Sequence, residues 1–337
     1  MKAVALKKPL SIEEQNVFSD IELETPKPKE HDLLIEIKAV SINPVDSIMR
    51  MAIPKDNETW KILGHDAAGV VKAVGAKVQN FKVGDEVFYA GSNQRDGSFA
   101  EYQLVDERLV GHKPKKFSFS ESAAMPLTTL TAWEMLFDRL KVQRATEDQN
   151  TILVIGASGG VGSITIELLK ALTLLNVVGT ASSSLDEQTR VKALKADYVL
   201  DHNKPLYEQF EALKINKPTY IFSISHTEQH MPDILKLLAP QGHLGFIDNP
   251  QNFPLLAFKA GSTSIHMQNV FTRSMYQTFD MSKQGEILEQ IANLLDQGAI
   301  QPTLSHVVGK INAAGLVKAT TLVETGKANG KVILEGF

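Results

Sequence analysis

A glycine-rich stretch carries the clearest chemical signal of the sequence. Residues 152–169 read ILVIGASGGVGSITIELL, with Gly156, Gly159 and Gly162 at intervals of three between two apolar runs. Phosphate groups bind the unpaired backbone N–H groups at a helix N-terminus, and side chains larger than glycine would obstruct that approach. The stretch therefore predicts a cradle for the pyrophosphate of a dinucleotide. A strand–helix turn without a ligand is the alternative interpretation.

The residues after the glycines bear on which dinucleotide binds. A unit that binds NAD usually carries an acidic residue about 20 positions beyond the glycines, where it holds the ribose 2′-hydroxyl. The segment from Val177 to Leu185 contains no acidic side chain, so NADPH is predicted, with serine hydroxyls meeting the 2′-phosphate. The alternative is that these serines cap the following helix. The predicted coenzyme contacts here are Gly156, Ser158, Gly159, Gly160, Val161, Gly162, Thr180, Ser182, Ser183, Ser184 and Arg190.

Alternating elements surround this motif. Strands are predicted at TILVI, NVVGTA, DYVL, TYIFS and HLGFI, and helices at 160–174, 186–194, 206–213 and 229–238. Such alternation is typical of a doubly wound parallel sheet with helices on both faces. The apolar segment STSIHMQNVF at 262–271 could extend that sheet, and 285–300 reads as an amphipathic helix.

The first part of the chain has a different rhythm. Between residues 32 and 113, short β segments alternate with Gly, Asp, Asn and Pro turns, a pattern that favours a sandwich or a partly closed barrel. SESAAMPLTTLTAWEMLFDRL then reads as one helix with a buried face. With 337 residues, two domains are expected. We assign 1–124 and 301–337 to the β domain and 125–300 to the doubly wound domain.

Composition narrows the classes of partner. The net charge of −4 and the absence of a basic block argue against nucleic acid and against an anionic membrane surface. The chain has no cysteine, which removes disulfides, thiol nucleophiles and thiolate metal sites, so redox chemistry requires a bound organic cofactor. MKAVALKKPLSIEE has no secretory apolar core, and a cytoplasmic location is expected.

Several further motifs carry a family resemblance. SINPVD, LGHDAAGVV, VGDEVFYAG, GSFAEY, AAMPLTTLTAWEML, GASGGVG and GKANGKVILEGF occur in the order found in the medium-chain dehydrogenase/reductase superfamily. The chain most resembles its quinone oxidoreductase branch and the related zinc-type alcohol dehydrogenase-like proteins. The resemblance implies a GroES-like β-barrel domain, a Rossmann domain and an active site in the cleft between them.

The same resemblance raises the question of zinc. Metal-dependent members hold a catalytic zinc through Cys, His and Cys, and the matching positions here are Asn43, His65 and Leu127. Because a catalytic zinc needs three protein ligands, we predict no metal. Coordination by Asp46 or Asp66 is the alternative; otherwise His65 is a hydrogen-bonded histidine and Asp46 a turn acceptor.

Without a Lewis acid, hydrogen-bond donors must stabilise the charge that develops on the acceptor, and conjugated acceptors need the least help. The sequence therefore predicts a reductase of quinones or α,β-unsaturated carbonyls. The resemblance implies that Asn43 and Thr131 lie near the nicotinamide, since they match positions there in related proteins, and Tyr89 lies on a strand that would face the cleft or the barrel core; these three are the candidate catalytic residues. For Asn43 the alternative is a turn residue before Pro44, for Tyr89 the barrel core, and for Thr131 a helix residue bonded to its own preceding turn.

The resemblance also implies contacts near the C-terminus and an assembly. Asn329 and Lys331 match a segment that returns to the cofactor in this family, so Lys331 is expected at a phosphate, with a solvated surface lysine as the alternative. An exposed apolar edge strand at 262–271 favours a homodimer. A zinc-dependent alcohol dehydrogenase and a catalytically idle NADPH-binding protein are the competing functions.

Overall fold

The computed structural model describes residues 1–143, 150–328 and 330–337. Its strands are β1 (Lys2–Ala5), β2 (Ser19–Glu22), β3 (Asp32–Ile42), β4 (Ala67–Val74), β5 (Glu86–Tyr89), β6 (Tyr102–Asp106), β7 (Val110–His112), β8 (Thr151–Ile155), β9 (Asn176–Ala181), β10 (Tyr198–Asp201), β11 (Tyr220–Ser223), β12 (His243–Phe246), β13 (Ser264–Met267), β14 (Leu304–Gly309) and β15 (Lys331–Glu335). Its α-helices are α1 (Pro44–Met51), α2 (Phe119–Ala123), α3 (Pro126–Trp133), α4 (Gly160–Leu172), α5 (Leu185–Ala193), α6 (Leu206–Ala212), α7 (Thr227–Leu237), α8 (Thr272–Tyr276), α9 (Lys283–Asp296) and α10 (Ala313–Glu324).

The described chain divides into two compact units, residues 1–130 with 271–337 and residues 131–270. The second unit contains one parallel sheet in the order β10-β9-β8-β11-β12-β13. Counted from β8, this is the 3-2-1-4-5-6 order of a dinucleotide-binding Rossmann domain. The predicted doubly wound sheet is confirmed, and the 262–271 segment does supply its last strand.

Burial explains why the sheet strands are apolar. Both faces of a parallel sheet are covered by helices, so its strands read as continuous hydrophobic runs. Leu153, Val154, Ile221 and Phe222 are all fully buried. The helices cover these faces with residues such as Ile234 of α7, also fully buried.

The first unit is the β domain. Its larger sheet runs β14-β15-β3-β4-β5-β7, with β6 also paired to β3, and β1 and β2 form a separate pair. The eleven-residue strand β3 pairs with β4 along most of its length, with β6 at its N-terminal part and with β15 at its C-terminal part. Strand β15 is thereby bound into the N-terminal sheet, as the family resemblance implies.

Two elements differ from the pattern that the sequence suggests. The single helix predicted from Ser120 is instead α2, α3 and a π-helix at Glu134–Arg139, because Pro126 begins a new helix rather than continuing the first. Helix α9 belongs to the first unit, where Gly111 of β7 approaches Leu288 so closely that an added Cβ would lie 2.5 Å from a side-chain atom. The two compact units divide at residues 130 and 270, whereas the domain assignment from the sequence, at 124 and 300, stays a prediction.

Within the part of the chain that the structure describes, none of the helices combines the length and the apolar character that crossing a membrane would require.

Candidate functional site

The glycine loop between β8 and α4 has the geometry of a close-approach cradle. Gly156 adopts a φ of +85°, in the left-handed region that glycine enters without strain. A Cβ on Gly162 would lie 2.2 Å from the Gly156 carbonyl oxygen, so only glycine lets α4 start this close to the strand. Around Gly159, in contrast, the nearest atom to an added Cβ is 3.6 Å away. The loop fits a pyrophosphate at the start of α4.

Thr180 holds this loop against the next strand. Its hydroxyl accepts a hydrogen bond from the Gly156 N–H at 3.0 Å, and its carbonyl accepts one from the Ala157 N–H at 3.2 Å. Thr180 is fully buried, so both contacts are shielded from water. Its observed role is to fix the shape of the loop, in addition to any contact with a coenzyme.

The serines predicted to meet a 2′-phosphate have carboxylate neighbours. The Ser182 N–H donates to Glu187 Oε2 at 3.0 Å, and Ser158 Oγ donates to the same oxygen at 3.2 Å. Ser183 Oγ donates to Asp201 Oδ2 at 3.1 Å. Burial alone would raise the pKa of Glu187, but these hydrogen bonds, with a smaller contribution from the Arg190 charge, outweigh it and lower the pKa. The carboxylate is therefore ionised at neutral pH.

Sequence reasoning missed Glu187. It stands three residues after Ser184, the spacing of a capping box, which is the signal that could have drawn attention to it. The side chain instead reaches back to Ser182 and across to the glycine loop.

A second polar cluster lies buried in the first unit, around Asp66. Its Oδ1 accepts from the Leu127 N–H at 2.7 Å, and its Oδ2 accepts from Asn43 Nδ2 at 2.9 Å and from Lys331 Nζ at 3.0 Å. Asp66 is 1% exposed and Lys331 is 4% exposed. Burial raises the pKa of Asp66, and the nearby ammonium and hydrogen bonds oppose that rise without cancelling it.

Both the backbone and the side-chain amide of Asn43 are hydrogen-bonded. It precedes Pro44 at the start of α1, and its backbone N–H donates to Asp46 Oδ2 at 2.8 Å. Its amide nitrogen donates to Asp66 and, at 3.4 Å, to the Ser41 carbonyl, while its amide oxygen accepts from Lys331. Asn43 is thus the extended N-cap residue of α1, immediately before Pro44. A hydrogen bond from Asn43 to substrate stays a prediction, and it would require one of these contacts to be given up.

His65 and Asp46 form a buried pair. His65 Nδ1 lies 2.9 Å from Asp46 Oδ1, and the imidazole ring packs on Phe271 with ring centroids 4.7 Å apart. Their side chains are 3% and 5% exposed. This confirms the interpretation of His65 as a hydrogen-bonded histidine and of Asp46 as a turn acceptor.

The residues at the positions that match the family's zinc ligands do not fit a zinc ion. Leu127 offers no side-chain donor, the amide of Asn43 is engaged by Asp66 and Lys331, and the remaining candidate is His65. In the described ranges, no group of three or more His, Cys, Asp or Glu side chains is arranged to hold a metal. An ammonium group already faces Asp66 where a cation would bind.

The other predicted site residues are placed as follows. Tyr89 is 1% exposed and donates to Gln103 Oε1 at 2.9 Å, and burial raises its pKa, so its proton is held firmly. Thr131 is buried on α3. Lys331 is paired with Asp66 and Asn43, a role not foreseen, and the predicted phosphate contact would require it to leave both. Asn329 lies outside the described residues.

Fold and site together define a class: a two-unit oxidoreductase with a Rossmann coenzyme domain and a GroES-like domain. Two family models match the chain, the alcohol dehydrogenase GroES-like domain over residues 29–115 and the zinc-binding dehydrogenase domain over residues 194–334. The chain belongs to the medium-chain dehydrogenase/reductase superfamily.

Particular relatives agree with this assignment. A zinc-type alcohol dehydrogenase-like protein of Staphylococcus aureus is 34% identical over 99% of both chains. The 2-methylene-furan-3-one reductase of Solanum lycopersicum is 31% identical over 92% of this chain and 73% of its own. The crystal structure of a protein from Rhizobium etli, described as a putative zinc-dependent alcohol dehydrogenase, has a TM-score of 0.95 and 47% identity, covering 100% of this chain and 98% of that one.

Proposed function

We propose that this protein reduces quinones or α,β-unsaturated carbonyls with a reduced nicotinamide coenzyme and without a catalytic metal. The observation that carries the proposal is the buried cluster around Asp66, in which Lys331 supplies the positive charge; among the residues that the structure describes, no group of three ligating side chains is arranged to hold a metal. The coenzyme supplies the hydride. The glycine loop from Gly156 to Gly162 holds its pyrophosphate and so fixes the position of the rest of the molecule.

The acceptor class follows from the donors that this chain has. Without a Lewis acid, an acceptor that spreads its developing charge over a conjugated system has the lower barrier. A simple ketone or aldehyde concentrates that charge on one oxygen, which here would meet only hydrogen-bond donors. The Solanum relative is named for reduction of a methylene-furanone, a conjugated ketone, which supports the same class.

The buried cluster positions groups within the β domain. Lys331 and Asp66 hold the amide of Asn43, and Asp46 fixes both the start of α1 and the ring of His65. Because each of these groups is hydrogen-bonded to a charged partner, the cluster is held in one arrangement rather than being adaptable. Binding of an acceptor then costs little reorganisation of this part of the protein.

The experiment compares acceptors under identical conditions. Oxidation of NADPH and of NADH is followed with 9,10-phenanthrenequinone, 1,4-benzoquinone and a 2-alkenal, and reduction of the oxidised coenzymes is followed with a primary alcohol, each with and without a chelator. Turnover of the conjugated acceptors that is insensitive to the chelator is expected. Turnover of the alcohol alone, abolished by the chelator, would assign the protein to the zinc-dependent alcohol dehydrogenases. Coenzyme binding without any turnover would indicate an idle binder.

The coenzyme form is the finer part of the proposal. NADPH is the form predicted from the absence of an acidic residue between Val177 and Leu185. The serines at 182–184 support that choice, and the carboxylate of Glu187 opposes it. The acceptor experiment therefore runs both coenzymes.

A homodimer is proposed from the edge strand β13. Its described pairing is with β12 on one side, and Met267 at its end is 72% exposed. A second copy of this strand would satisfy the free edge and cover the apolar side chains. Light scattering coupled to size exclusion should give twice the 37.0 kDa chain mass.

A further inference from the structure

Glu187 forms a bridge at the carboxyl end of the Rossmann sheet. One oxygen, Oε2, accepts from Ser158 Oγ in the loop after β8 and from the Ser182 N–H in the turn after β9. The side chain thus joins the two loops that follow the first and second strands of the sheet. Helix α5 positions it, since Glu187 is the third residue of that helix.

This position is where the adenosine ribose of a dinucleotide is expected. In a doubly wound fold the coenzyme crosses the carboxyl ends of the strands, and its ribose lies just beyond the second strand. Here that strand is β9, which ends at Ala181, and Ser182 follows it. The group that binds the 2′ position of the ribose must therefore be found among the atoms around Ser182.

Hydrogen-bond donors around Ser182 already bond to carboxylates. Glu187 takes the Ser182 N–H, and Asp201 takes the Ser183 hydroxyl, so carboxylates occupy two of the donors that a 2′-phosphate would use. The pKa values of both carboxyl groups are lowered, Asp201 chiefly by a hydrogen bond from the Asn203 backbone and Glu187 by hydrogen bonds that outweigh its burial. Both therefore remain charged near neutral pH.

The chemistry of the two coenzymes differs at this point. The ribose 2′-hydroxyl of NADH is a donor and can bond to a carboxylate oxygen. The 2′-phosphate of NADPH has no proton to donate to these carboxylates and is itself negatively charged, so the two carboxylates repel it. The positive charge of Arg190 helps keep Glu187 ionised. Because the Glu187 carboxylate partly neutralises that charge, Arg190 attracts a 2′-phosphate less strongly.

We propose that Glu187 is the residue that sets coenzyme specificity and that it makes NADH the preferred coenzyme. In other NAD-binding units, an acidic residue at the end of the second strand accepts a hydrogen bond from the ribose 2′-hydroxyl. Glu187 would accept that hydrogen bond from the first turn of α5 instead. The inference rests on the proposed function, because it requires that a nicotinamide coenzyme binds this loop, and it reverses the NADPH preference predicted from the sequence.

The test is a calorimetric titration of the full-length protein with NADH and with NADPH. The variants are Glu187→Gln, which removes the charge and keeps the shape, and Asp186→Asn, a control that removes a neighbouring exposed charge from the same turn. We expect the wild type and Asp186→Asn to bind NADH about tenfold or more tightly than NADPH. Glu187→Gln should move this ratio at least about tenfold toward NADPH.

A further variant separates charge from structure. Ser158→Ala removes one hydrogen bond to Glu187 but leaves its charge, so the ratio should stay on the NADH side. If Glu187→Gln proves too unstable to titrate, wild-type binding of 5′-AMP and 2′,5′-ADP gives the same comparison, with 5′-AMP expected to bind more tightly.

The outcomes keep the two proposals apart. A wild type that prefers NADPH, or a ratio that Glu187→Gln and Ser158→Ala change alike, would overturn the role of Glu187 and leave coenzyme binding intact. Failure of the wild type to bind either coenzyme would overturn the proposed function itself.

Discussion

Removal of the Lys331 ammonium tests whether the buried cluster around Asp66 depends on its charge. In Lys331→Met the Asp66 carboxylate would keep its hydrogen bonds from Asn43 and Leu127 but lose the cation at 3.0 Å. At an effective dielectric constant of about 20, the Coulomb attraction of an ion pair at this distance is about 5.5 kcal/mol before the cost of desolvation. Breaking a buried pair by removing one partner costs about 3–5 kcal/mol, and we expect the free energy of unfolding at pH 8 to fall by that amount.

The loss should depend on pH in a defined direction. The folded-state pKa of Asp66 is raised above its ordinary value of 3.8, so the folded protein holds this proton more tightly than the unfolded chain does. Such a group favours folding below the unfolded pKa, and that contribution is lost as the pH rises through the folded pKa. Removing Lys331 raises the folded pKa further, so the variant should lose less stability at pH 5 than at pH 8.

The assay is urea unfolding followed by tryptophan fluorescence. Trp60 lies in the first unit and Trp133 in the second, so a Trp133→Phe background reports the unit that contains the cluster. Lys77→Met, which breaks the exposed pair of Lys77 with Glu30, is the control and should change little.

A double-mutant cycle gives the result that could refute the reasoning. Lys331→Met combined with Asp66→Asn removes both charges, so it should cost less than the sum of the two single variants. Strict additivity, or a loss in Lys331→Met no larger than that in Lys77→Met, would show that the cluster does not depend on this ion pair.

Three further changes have defined outcomes. Gly162→Ala should weaken coenzyme binding in calorimetry by at least about tenfold, because its Cβ would lie 2.2 Å from the Gly156 carbonyl oxygen and would displace the loop; unchanged affinity would contradict the cradle. Tyr89→Phe should keep turnover within about twofold and cost about 1 kcal/mol in urea unfolding, since one hydrogen bond to Gln103 is lost; a hundredfold fall in kcat would restore Tyr89 as a proton donor. Met267→Lys should give a monomer in light scattering, because a charge at the β13 edge opposes pairing; a persistent dimer would place the interface elsewhere.

The Rossmann unit was predictable because its signals are local. Apolar strands, the glycine loop and amphipathic helices recur within short windows, and each predicted strand there coincides with an observed one to within a few residues. The single helix predicted from Ser120 is wrong for an equally local reason. Pro126 does not continue α2 but is the first residue of a second helix, α3.

The donors and acceptors of the site were harder to predict. Asn43, Asp66 and Lys331 are separated by up to 288 positions, and the hydrogen bonds of Lys331 to the other two exist only once β15 is paired with β3. Composition and spacing indicate nothing about such pairing. Glu187 was missed for a different reason: its spacing from Ser184 is that of a helix cap, and a sequence pattern does not reveal which amide a flexible side chain will reach.

The buried cluster around Asp66 joins strand β15 to the residues at the start of α1 and β4 through Lys331. Asp66 lies in the dry interior, where an unpaired carboxylate is costly, and the cation that compensates it comes from the first residue of the last strand. Pairing of β15 with β3 therefore completes both the sheet and the charge balance. An ammonium and a divalent metal could not share the Asp66 oxygen that Lys331 contacts, so binding of a metal at Asp66 would require Lys331 to withdraw and the C-terminal strand to lose its buried partner.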